Sequence, residues 1–524
     1  MPGASVVASR GMKQPNILVV MADQLAPHFT GAYGHRLVRT PAMDALAERG
    51  TRFDAAYCNF PLCAPSRFSM LSGQQATAID AWDNAAEFPA GVPTMAHYLN
   101  LAGYRTVLTG KMHFIGPDQL HGFTRRLNPD IYPADFAWTP NWDQADDRID
   151  KWYHNMDSLS EAGQALATYQ IDYDEEVGFS TTRQLYDFAR EADERPWFLA
   201  AALIHPHDPY VARPEWWDLY DHDDIDLPDD KFTSPDPHTL RIRHGIQADT
   251  IGYTDEQCRN ARHGYYANTS YFDSWLGQMV KVLEETGQID NTIVIATSDH
   301  GDMLGDRGLW FKMSFFERSL RVPLIMAGPG VANRTVGNVC SLMDLLPTLL
   351  DISLDGTSSD NAGSGNGRIE PVIPLAGRSL WESATGGHDP VDETIAEYTG
   401  EMTSQPMFMI RRGRHKYIHC DTDPPLLYDI EADPLERNNL ADDPAHADLA
   451  AGFAAETAQR WDTDAIRERV LASQRSRRML HAAMTIDGHY SWDFTPVRDG
   501  ASEYVRDNMD WAEAGPRFRF PELA

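Results

Sequence analysis

The segment "NILVVMA" at residues 16–22 is an uninterrupted apolar run that stops at an acidic residue, Asp23. A continuous apolar run of this length is typical of a strand that is buried on both faces of a parallel sheet. The same pattern recurs in three further runs, "YRTVLTG" (104–110), "WFLAAALI" (197–204) and "TIVIATS" (292–298). Because helical segments separate these runs, we expect an α/β fold with a doubly wound, mostly parallel sheet flanked by helices.

Each of the four runs is followed by at least one acidic, basic or imidazole side chain. They are Asp23, then Lys111 with His113, then His205, and finally Asp299 with His300. A lone histidine after a strand more often hydrogen-bonds within a loop than takes part in catalysis. In a doubly wound sheet, however, the carboxyl ends of the strands open into one crevice where ligands bind. We therefore expect these side chains to meet there.

The residues at the strand ends divide into two chemical groups. Asp23, Asp299 and His300 offer two carboxylates and an imidazole, which suit a single divalent cation such as calcium, manganese or magnesium. An oxygen from residue 63 could complete this set, although the thiol of Cys63 itself is a poor ligand for a hard cation. The second group is basic, and it would bind a tetrahedral oxyanion: Arg67, Lys111, His113 and Lys312.

Composition and charge limit the possible partners. The 524 residues carry a formal net charge of −32, which argues against a nucleic acid or an anionic membrane as a partner. No apolar stretch approaches the length of a membrane span, and the first residues lack the apolar core of a secretory signal. The five scattered cysteines do not form a disulfide framework. We therefore expect a cytoplasmic protein.

A change in composition predicts the domain organisation. The segment "LDGTSSDNAGSGNGRIEP" at residues 354–371 is rich in glycine, serine, asparagine and aspartate, and it is typical of a flexible loop or linker. We expect a catalytic α/β domain over residues 1–370 and a smaller α+β subdomain over residues 371–480. The remaining residues, 481–524, are expected to form an extended tail.

The segment "PLCAPSRFSMLSG" at residues 61–73 places a cysteine at the start of a predicted helix. A free cysteine is most often a packing residue. Here, however, the segment resembles the signature C-x-P-S-R-x-x-x-L-x-G of the type I sulfatases, a family with the alkaline-phosphatase-like fold. The resemblance implies that a formylglycine-generating enzyme, or an equivalent, oxidises Cys63 to formylglycine. The hydrated aldehyde would then offer one oxygen to the metal and another as the nucleophile.

The resemblance to sulfatases continues along the chain through "MADQ", "KMHF", "HPHDPY", "SDHGDMLGDRGLWFK" and "LYDIEADPLERNNL". It implies that Arg67 holds the aldehyde hydrate and that Lys111 binds the sulfate oxygens. It also implies that His113 acts as a base on the second hydroxyl, and that His205 and Lys312 act on the leaving oxygen. Two departures, Gln24 for a second aspartate and His300 for asparagine, resemble the branch of choline-sulfatases and phosphonate monoester hydrolases.

Four segments resemble the choline-sulfatases of that branch, at residues 83–88, 110–123, 130–142 and 152–155. This implies choline sulfate as the substrate, and a quaternary ammonium is held by aromatic faces and carboxylates because it cannot donate a hydrogen bond. The candidate substrate-binding residues are Asn84, Trp138, His154, Asn155, Glu397 and Asp510. Ordinary packing remains the alternative explanation for the aromatic residues in these segments.

The resemblance also implies a homo-oligomer, a dimer or a tetramer. In it, the tail segment "RDNMDWAEAGPRFRFP" (506–521) would carry Asp510 into a neighbouring subunit's site. Packing of the tail on its own subunit is the alternative.

Other functions also remain open. The same scaffold could serve a sulfatase of broader specificity or a phosphonate monoester or phosphodiester hydrolase. A non-catalytic binder of quaternary ammonium compounds is a third possibility, but such a protein would have no use for a nucleophile.

Overall fold

The computed structural model describes residues 14–144, 154–228, 235–354 and 369–486. Its strands are β1 (Asn16–Asp23), β2 (Thr51–Tyr57), β3 (Arg105–Gly110), β4 (Arg125–Arg126), β5 (Gly163–Gln164), β6 (Trp197–Pro206), β7 (Val211–Ala212), β8 (Thr292–Ser298), β9 (Leu324–Ala327), β10 (Arg334–Ser341), β11 (Glu393–Tyr398), β12 (Met407–Arg412), β13 (His415–Cys420) and β14 (Leu426–Asp429).

The helices lie between and after these strands. They are α1 (Pro41–Arg49), α2 (Cys63–Ser72), α3 (Met95–Leu101), α4 (Asp157–Ser160), α5 (Tyr169–Arg190), α6 (Pro214–Trp217), α7 (Pro237–Gly245), α8 (Asp255–Glu285), α9 (Glu317–Leu320), α10 (Leu345–Leu354), α11 (Trp381–Ala384), α12 (Ala447–Arg460) and α13 (Thr463–Met484). No helix in these described ranges is both long enough and apolar enough to cross a membrane.

The main sheet has eight strands in the order β10-β2-β9-β8-β1-β6-β3-β4. Every neighbouring pair in it is parallel except the two pairs that include β9. The four apolar runs identified in the sequence are β8, β1, β6 and β3, which lie side by side in the middle of the sheet. The predicted doubly wound, mostly parallel α/β fold is therefore confirmed, with β9 as one antiparallel member.

Helices cover both faces of this sheet. On one face, α2, α3 and α10 pack on β1 and β6 through apolar side chains such as Met70, Met95 and Leu349. On the other face, α5 and α8 lie against β6, and Phe188 of α5 stacks on Trp197 with ring centroids 4.9 Å apart. Burial on both faces explains why the central strands are continuously apolar.

A second, antiparallel sheet has the order β11-β12-β13-β14. Helices α12 and α13 close a separate core over it, in which Phe408 stacks on Trp461 with centroids 4.5 Å apart. This is the smaller α+β unit expected after the linker. The boundaries at residues 370 and 480 remain predictions, and α13 continues to Met484. Most of the predicted linker and nearly all of the predicted tail lie outside the described residues.

Candidate active site

The carboxyl ends of the central strands meet at one edge of the main sheet. Asp23 ends β1, and Asp299 follows β8, the parallel neighbour of β1. Lys111 follows β3, and its backbone N–H donates to the carbonyl oxygen of Ala202 at 2.9 Å. Gly110 just before it has φ +85°, and a Cβ there would lie 2.0 Å from that same oxygen, so the position requires glycine. The sheet thus delivers two carboxylates and a lysine to one crevice.

Cys63 enters the same crevice as the first residue of α2. Asn84 Oδ1 accepts a hydrogen bond from the Ala64 N–H at 2.9 Å and so satisfies one free donor of the first turn. Every residue of α2 is buried, so the start of the helix cannot be solvated by bulk water. The Nδ2 atom of Asn84 is also buried and has no hydrogen-bond partner among the described residues. Asn84 therefore lies next to residue 63, and its role in substrate binding remains a prediction.

The four predicted metal ligands form one cluster. Asp23, Cys63, Asp299 and His300 each bring a ligand atom within 4.8 Å of the others, and all four are fully buried. The Cys63 sulfur lies 3.2 Å from His300 Nε2 and 3.9 Å from Asp23 Oδ1. His300 Nδ1 lies 3.0 Å from the carbonyl oxygen of Gly301, which can only accept, so Nδ1 carries the proton and Nε2 offers its lone pair to the cluster.

Arg67 and Lys111 surround this cluster with positive charge. Arg67 donates to Asp299 Oδ2 at 2.8 Å and to Asp23 Oδ2 at 3.0 Å, and it also donates to the carbonyl oxygen of Lys111. Lys111 Nζ forms an ion pair with Asp23 Oδ2. Burial opposes the ionisation of Asp23, but Lys111, His207 and Arg67 outweigh it and hold the pKa of Asp23 well below its ordinary value. The Asp23 carboxylate is therefore ionised and can bind a cation.

The Cys63 thiol is poorly suited to act as a nucleophile itself. Burial, followed by the negative charge of Asp23, raises its pKa to about 11 when the protein groups act alone. The thiolate is the reactive form of cysteine, and it is scarce at neutral pH with such a pKa. Position 63 is therefore placed as a nucleophile would be, but the unmodified side chain has the wrong chemistry.

Lys312 reaches the crevice beside a histidine, and this histidine is His207 rather than His205. Lys312 Nζ lies 3.1 Å from His207 Nε2, and both residues are fully buried. His205 is turned toward the helices, with its Nδ1 2.7 Å from Asp174 Oδ2 of α5 and its ring edge-on to Tyr271 of α8. The structure therefore places His207, and not His205, beside Lys312, and a role of His205 at the leaving oxygen remains a prediction.

The local chain path explains why the two histidines differ. Residues two apart on a regular strand share one face, so the sequence "HPHDPY" treats His205 and His207 alike. In the structure the chain turns at the end of β6, and the His207 N–H donates to the carbonyl oxygen of Ile204 at 3.1 Å. That turn carries His207 into the crevice while His205 stays with Asp174.

His154 lies next to His207, and its role in substrate binding remains a prediction. The two rings have centroids 5.2 Å apart, and His154 Nδ1 lies 3.2 Å from Asp208 Oδ1. Burial, followed by the charge of Lys312, lowers the pKa of His154 to about 4. His154 is therefore a neutral imidazole at physiological pH.

One side of the crevice is aromatic. His113, Tyr132 and Trp138 contact one another, with ring centroids between 5.2 and 5.8 Å apart. Trp138 is only partly buried, whereas His113 is buried and neither of its ring nitrogens has a hydrogen-bond partner among the described residues. Burial, followed by the charge of Lys111, holds the pKa of His113 well below its ordinary value, so its ring is a neutral base.

Two glutamates near the end of β11 have very different surroundings. Glu397 accepts hydrogen bonds from the Thr77 N–H and hydroxyl, both at 2.8 Å, and from Trp461 Nε1 at 2.7 Å. Its carboxylate is therefore engaged in holding the second core to the main domain. These contacts do not support the prediction that Glu397 binds the substrate cation, which remains untested.

Glu401 is a better candidate than Glu397 for a carboxyl group that faces the substrate cation. It is buried, and neither carboxylate oxygen has a hydrogen-bond partner among the described residues. Burial, followed by the nearby Asp83, raises its pKa to about 8, and Lys312 and Cys63 also act on it. The preceding residue, Gly400, lies against Leu62, the neighbour of Cys63. Glu401 is therefore a poorly compensated carboxyl group beside the crevice.

The two remaining predicted substrate-binding residues are Asn155 and Asp510. Asn155 accepts a hydrogen bond from the Asp157 N–H at 2.8 Å, at the start of α4, and its role in substrate binding remains a prediction. Asp510 lies outside the described residues. His207 and Glu401 lie at or beside the crevice, although neither is among the residues predicted from the sequence. The sequence offers no strand-end signal for Glu401, because β11 belongs to the antiparallel sheet and the rule applies to parallel sheets.

Models of known protein families match most of the chain. The family model described as "Sulfatase" matches residues 15–354. The model for the C-terminal part of N-sulphoglucosamine sulphohydrolase matches residues 305–461, and the model "Choline sulfatase enzyme C terminal" matches residues 468–520. Together these three matches run in sequence order through both the main sheet and the second sheet.

Individual relatives agree with the family matches. The chain is 41% identical over 517 residues to choline-sulfatase from Rhizobium meliloti (strain 1021), covering 96% of this chain and 98% of the relative. It is 26% identical over 461 residues to arylsulfatase K from Homo sapiens, covering 84% and 81% respectively. The structure of the phosphonate monoester hydrolase of Agrobacterium radiobacter matches with a TM-score of 0.66 at 23% identity, covering 87% of this chain and 96% of the other. That structural match concerns the fold alone. On the strength of the family and sequence matches, this chain belongs to the sulfatase family and is a sulfuric ester hydrolase.

Proposed function

We propose that the substrate is choline sulfate, which the enzyme hydrolyses to choline and sulfate. The similarity to a choline-sulfatase over almost the whole chain supports this proposal. The observation that carries it is the position of Glu401, a buried carboxyl group without a hydrogen-bond partner among the described residues, beside the crevice into which Arg67, Lys111 and Lys312 bring positive charge. A sulfate ester alone would have no need of a carboxylate at that place.

The charges in the crevice match a substrate that is anionic at one end and cationic at the other. Arg67, Lys111 and Lys312 bring positive charge to the end where the sulfate group would bind. At the other end, Glu401 would face the quaternary ammonium, and the half-exposed ring of Trp138 offers it an aromatic face. A bound cation favours the ionised form of a nearby carboxyl group, so choline would lower the pKa of Glu401.

The protein groups fit both a divalent cation and a modified residue at position 63. Asp23, Asp299 and His300 would hold the cation together with an oxygen at position 63, because their ligand atoms converge and Asp23 is ionised. The cation would supply positive charge to the sulfuryl group, and a formylglycine would supply the nucleophilic oxygen that the thiol lacks. Calcium, manganese and magnesium all suit this ligand set.

The remaining residues of the crevice have separate tasks. Arg67 holds Asp23 and Asp299 in position and so fixes the surroundings of residue 63. His113 is a buried neutral imidazole without a hydrogen-bond partner among the described residues, so it can accept a proton near residue 63. Lys312, held by His207 at 3.1 Å, can donate a hydrogen bond to the leaving oxygen. Asn84 Nδ2 offers another donor to the sulfate.

Paired kinetics on two substrates test the cation site. Glu401→Gln keeps the size of the side chain but removes its charge. We expect KM for choline sulfate to rise roughly 30-fold, because a buried charge pair is lost, with a much smaller change for 4-nitrophenyl sulfate, which has no cation. Equal losses on the two substrates would contradict the proposal.

The matched control is Glu397→Gln, a buried glutamate four residues earlier. Because Glu397 bonds to Thr77 and Trp461, this change should lower the thermal midpoint but leave the ratio of kcat/KM for the two substrates as it is. A selective loss of choline sulfate turnover in Glu397→Gln would instead restore the sequence-based prediction for that residue.

We further propose that a formylglycine-generating enzyme, or an equivalent, modifies Cys63, and that the enzyme is a cytoplasmic homo-oligomer, a dimer or a tetramer. The match of residues 468–520 to a C-terminal choline sulfatase model supports a role for the tail, in which Asp510 would be a second carboxylate for choline. Light scattering on a chain truncated before residue 503 tests this role. An unchanged mass together with an unchanged KM for choline sulfate would contradict it.

A further inference from the structure

Gln24 is a buried residue whose backbone is fixed at the edge of the metal-ligand cluster. Its N–H donates to Asp299 Oδ1 at 3.0 Å, and its carbonyl oxygen accepts from the Tyr265 hydroxyl at 2.6 Å. It adopts φ +67°, a left-handed conformation that is uncommon for a residue other than glycine. Such a conformation persists only where the surroundings hold it, so the place of this side chain is tightly specified.

The side chain of Gln24 connects Lys312 to two buried carboxylates. Gln24 Nε2 donates to Asp302 Oδ2 at 2.7 Å and to Asp208 Oδ1 at 3.2 Å, while Oε1 accepts from Lys312 Nζ at 2.5 Å. Carboxylates can only accept and an ammonium can only donate, so the amide has one possible orientation. Asp302 is itself held by the Tyr210 hydroxyl at 2.9 Å, which makes the arrangement rigid.

As a result, Lys312 is held by neutral acceptors. Its two hydrogen-bond partners are Gln24 Oε1 and His207 Nε2, and no ion pair of Lys312 occurs among the described residues. Lys111 differs, because it is paired directly with the carboxylate of Asp23. An ammonium has three N–H donors, and two of those of Lys312 are used in this way. The third N–H and the full positive charge remain for the substrate.

We propose that Gln24 is a positioning residue that holds the Lys312 ammonium, without neutralising it, against the leaving oxygen of an alkyl sulfate ester. As the nucleophile at position 63 takes the sulfuryl group, the ester S–O bond breaks and its electron pair moves to the alkoxide oxygen. The Lys312 N–H meets that oxygen and passes it a proton, giving the free alcohol. Solvent then returns a proton to the amine.

This role makes Gln24 a determinant of leaving-group specificity, and it rests on the proposed alkyl sulfate substrate. An alkoxide is a strong base and needs the proton, whereas 4-nitrophenolate leaves readily without it. Replacing Gln24 by Met keeps the length of the side chain but removes both polar atoms. We expect kcat/KM for choline sulfate to fall about 100-fold, the scale of a lost acid catalyst, and to fall much less for 4-nitrophenyl sulfate.

A double-mutant cycle with Lys312→Met separates positioning from general structural damage. If Gln24 acts through Lys312, then Gln24→Met should cause little further loss of choline sulfate turnover once Lys312 is already Met. Additive losses, or equal losses on both substrates, would overturn the inference. Gln24→Ala provides a second variant should the methionine pack badly. Elemental analysis shows whether the variants hold the same amount of metal. Peptide mass spectrometry shows whether residue 63 is converted to the same extent in each of them.

A simple primary alkyl sulfate, tested alongside, distinguishes the two proposals. It has the same poor leaving group as choline sulfate but no cation. If the enzyme turns over this ester but not choline sulfate, the proposed choline specificity is wrong, while the effect of Gln24→Met on the simple ester still tests Gln24. If Gln24→Met affects the simple alkyl ester no more than 4-nitrophenyl sulfate, the role of Gln24 is wrong.

Discussion

Arg477 of α13 forms a two-point ion pair with Asp83, with Nη1–Oδ1 and Nη2–Oδ2 distances of 2.6 and 2.7 Å. Asp83 is fully buried and directly precedes Asn84, the residue that bonds to the start of α2 beside Cys63. Arg477 also lies 3.3 Å from the hydroxyl of Thr139, the neighbour of Trp138. Helix α13 thus fixes two segments that carry candidate substrate-binding residues.

Removing Arg477 should therefore destabilise the protein strongly. We expect Arg477→Met to lower the free energy of unfolding by about 3 kcal/mol, because it leaves the buried charge of Asp83 unpaired. Urea denaturation measures this change. The control is Arg475→Met, two residues away on the same helix, because Arg475 pairs with Asp143 at the surface and both side chains are largely exposed. Similar midpoints for the two variants would contradict the importance of the buried pair.

The binding of choline sulfate should depend on pH through Glu401. The pKa of this carboxyl group is raised to about 8 by burial, followed by the effect of Asp83, so it is largely neutral below that pH and ionised above it. The ionised form attracts the choline cation, so KM for choline sulfate should fall several-fold as the pH rises from 7 to 9. Glu401→Gln should abolish this trend. A trend that persists in the variant would assign it to another group.

The same pKa shift predicts an effect on stability. The carboxyl group of Glu401 holds its proton in the folded state up to about pH 8, whereas an unfolded glutamate loses it near pH 4. The folded protein therefore binds more protons in this interval, and its stability falls as the pH rises through it. Glu401→Gln removes this pH-dependent loss of stability. The difference in thermal midpoint between the variant and the wild type should therefore be more in favour of the variant at pH 9 than at pH 5.

Metal content and activity should fall together when a cluster residue is removed. We expect Asp299→Ala and His300→Ala each to lose the divalent cation proposed for this cluster and to lower sulfatase activity by more than about 100-fold, since such a cation would stabilise the charge of the transition state. The control is Asp302→Asn, a buried carboxylate two residues beyond His300 that bonds to Gln24 and Tyr210 instead. This variant should retain its metal by elemental analysis. Full metal content in Asp299→Ala would contradict the assigned ligand set.

The sequence could predict the strands and the metal-ligand set because both depend on local pattern. The four apolar runs are continuous, so they could be recognised as buried strands, and the residues that end them necessarily meet at one edge of a parallel sheet. Asp23, Asp299 and His300 follow from that rule alone. Cys63 comes from α2 instead, and it was found through the sulfatase signature.

The residues that the sequence misplaced depend on turns and on tertiary partners. His205 and His207 share one strand face in the linear pattern, and a turn at Ile204 separates them. Glu397 and Glu401 differ because Trp461, which is 64 residues away in the chain from Glu397, binds one of them and not the other. Such a long-range contact leaves no trace in local composition.

Substitution of the two histidines should separate catalysis from stability. His207→Ala should lower kcat for choline sulfate about 100-fold, because Lys312 loses one of its two hydrogen-bond partners. His205→Ala should mainly lower the thermal midpoint, because it leaves the buried carboxylate of Asp174 without its imidazole partner. Paired kinetics and thermal unfolding measure both. A larger loss of kcat in His205→Ala than in His207→Ala would reverse the assignment.

The most direct test is to measure choline sulfate turnover against the fraction of position 63 that has been converted to formylglycine. Preparations made with and without a formylglycine-generating enzyme provide a range of conversion, which peptide mass spectrometry quantifies. Cys63→Ala provides the blank. Turnover should rise in proportion to conversion and be absent in the blank. Full activity in a preparation that holds only the unmodified thiol, or in Cys63→Ala, would contradict the account.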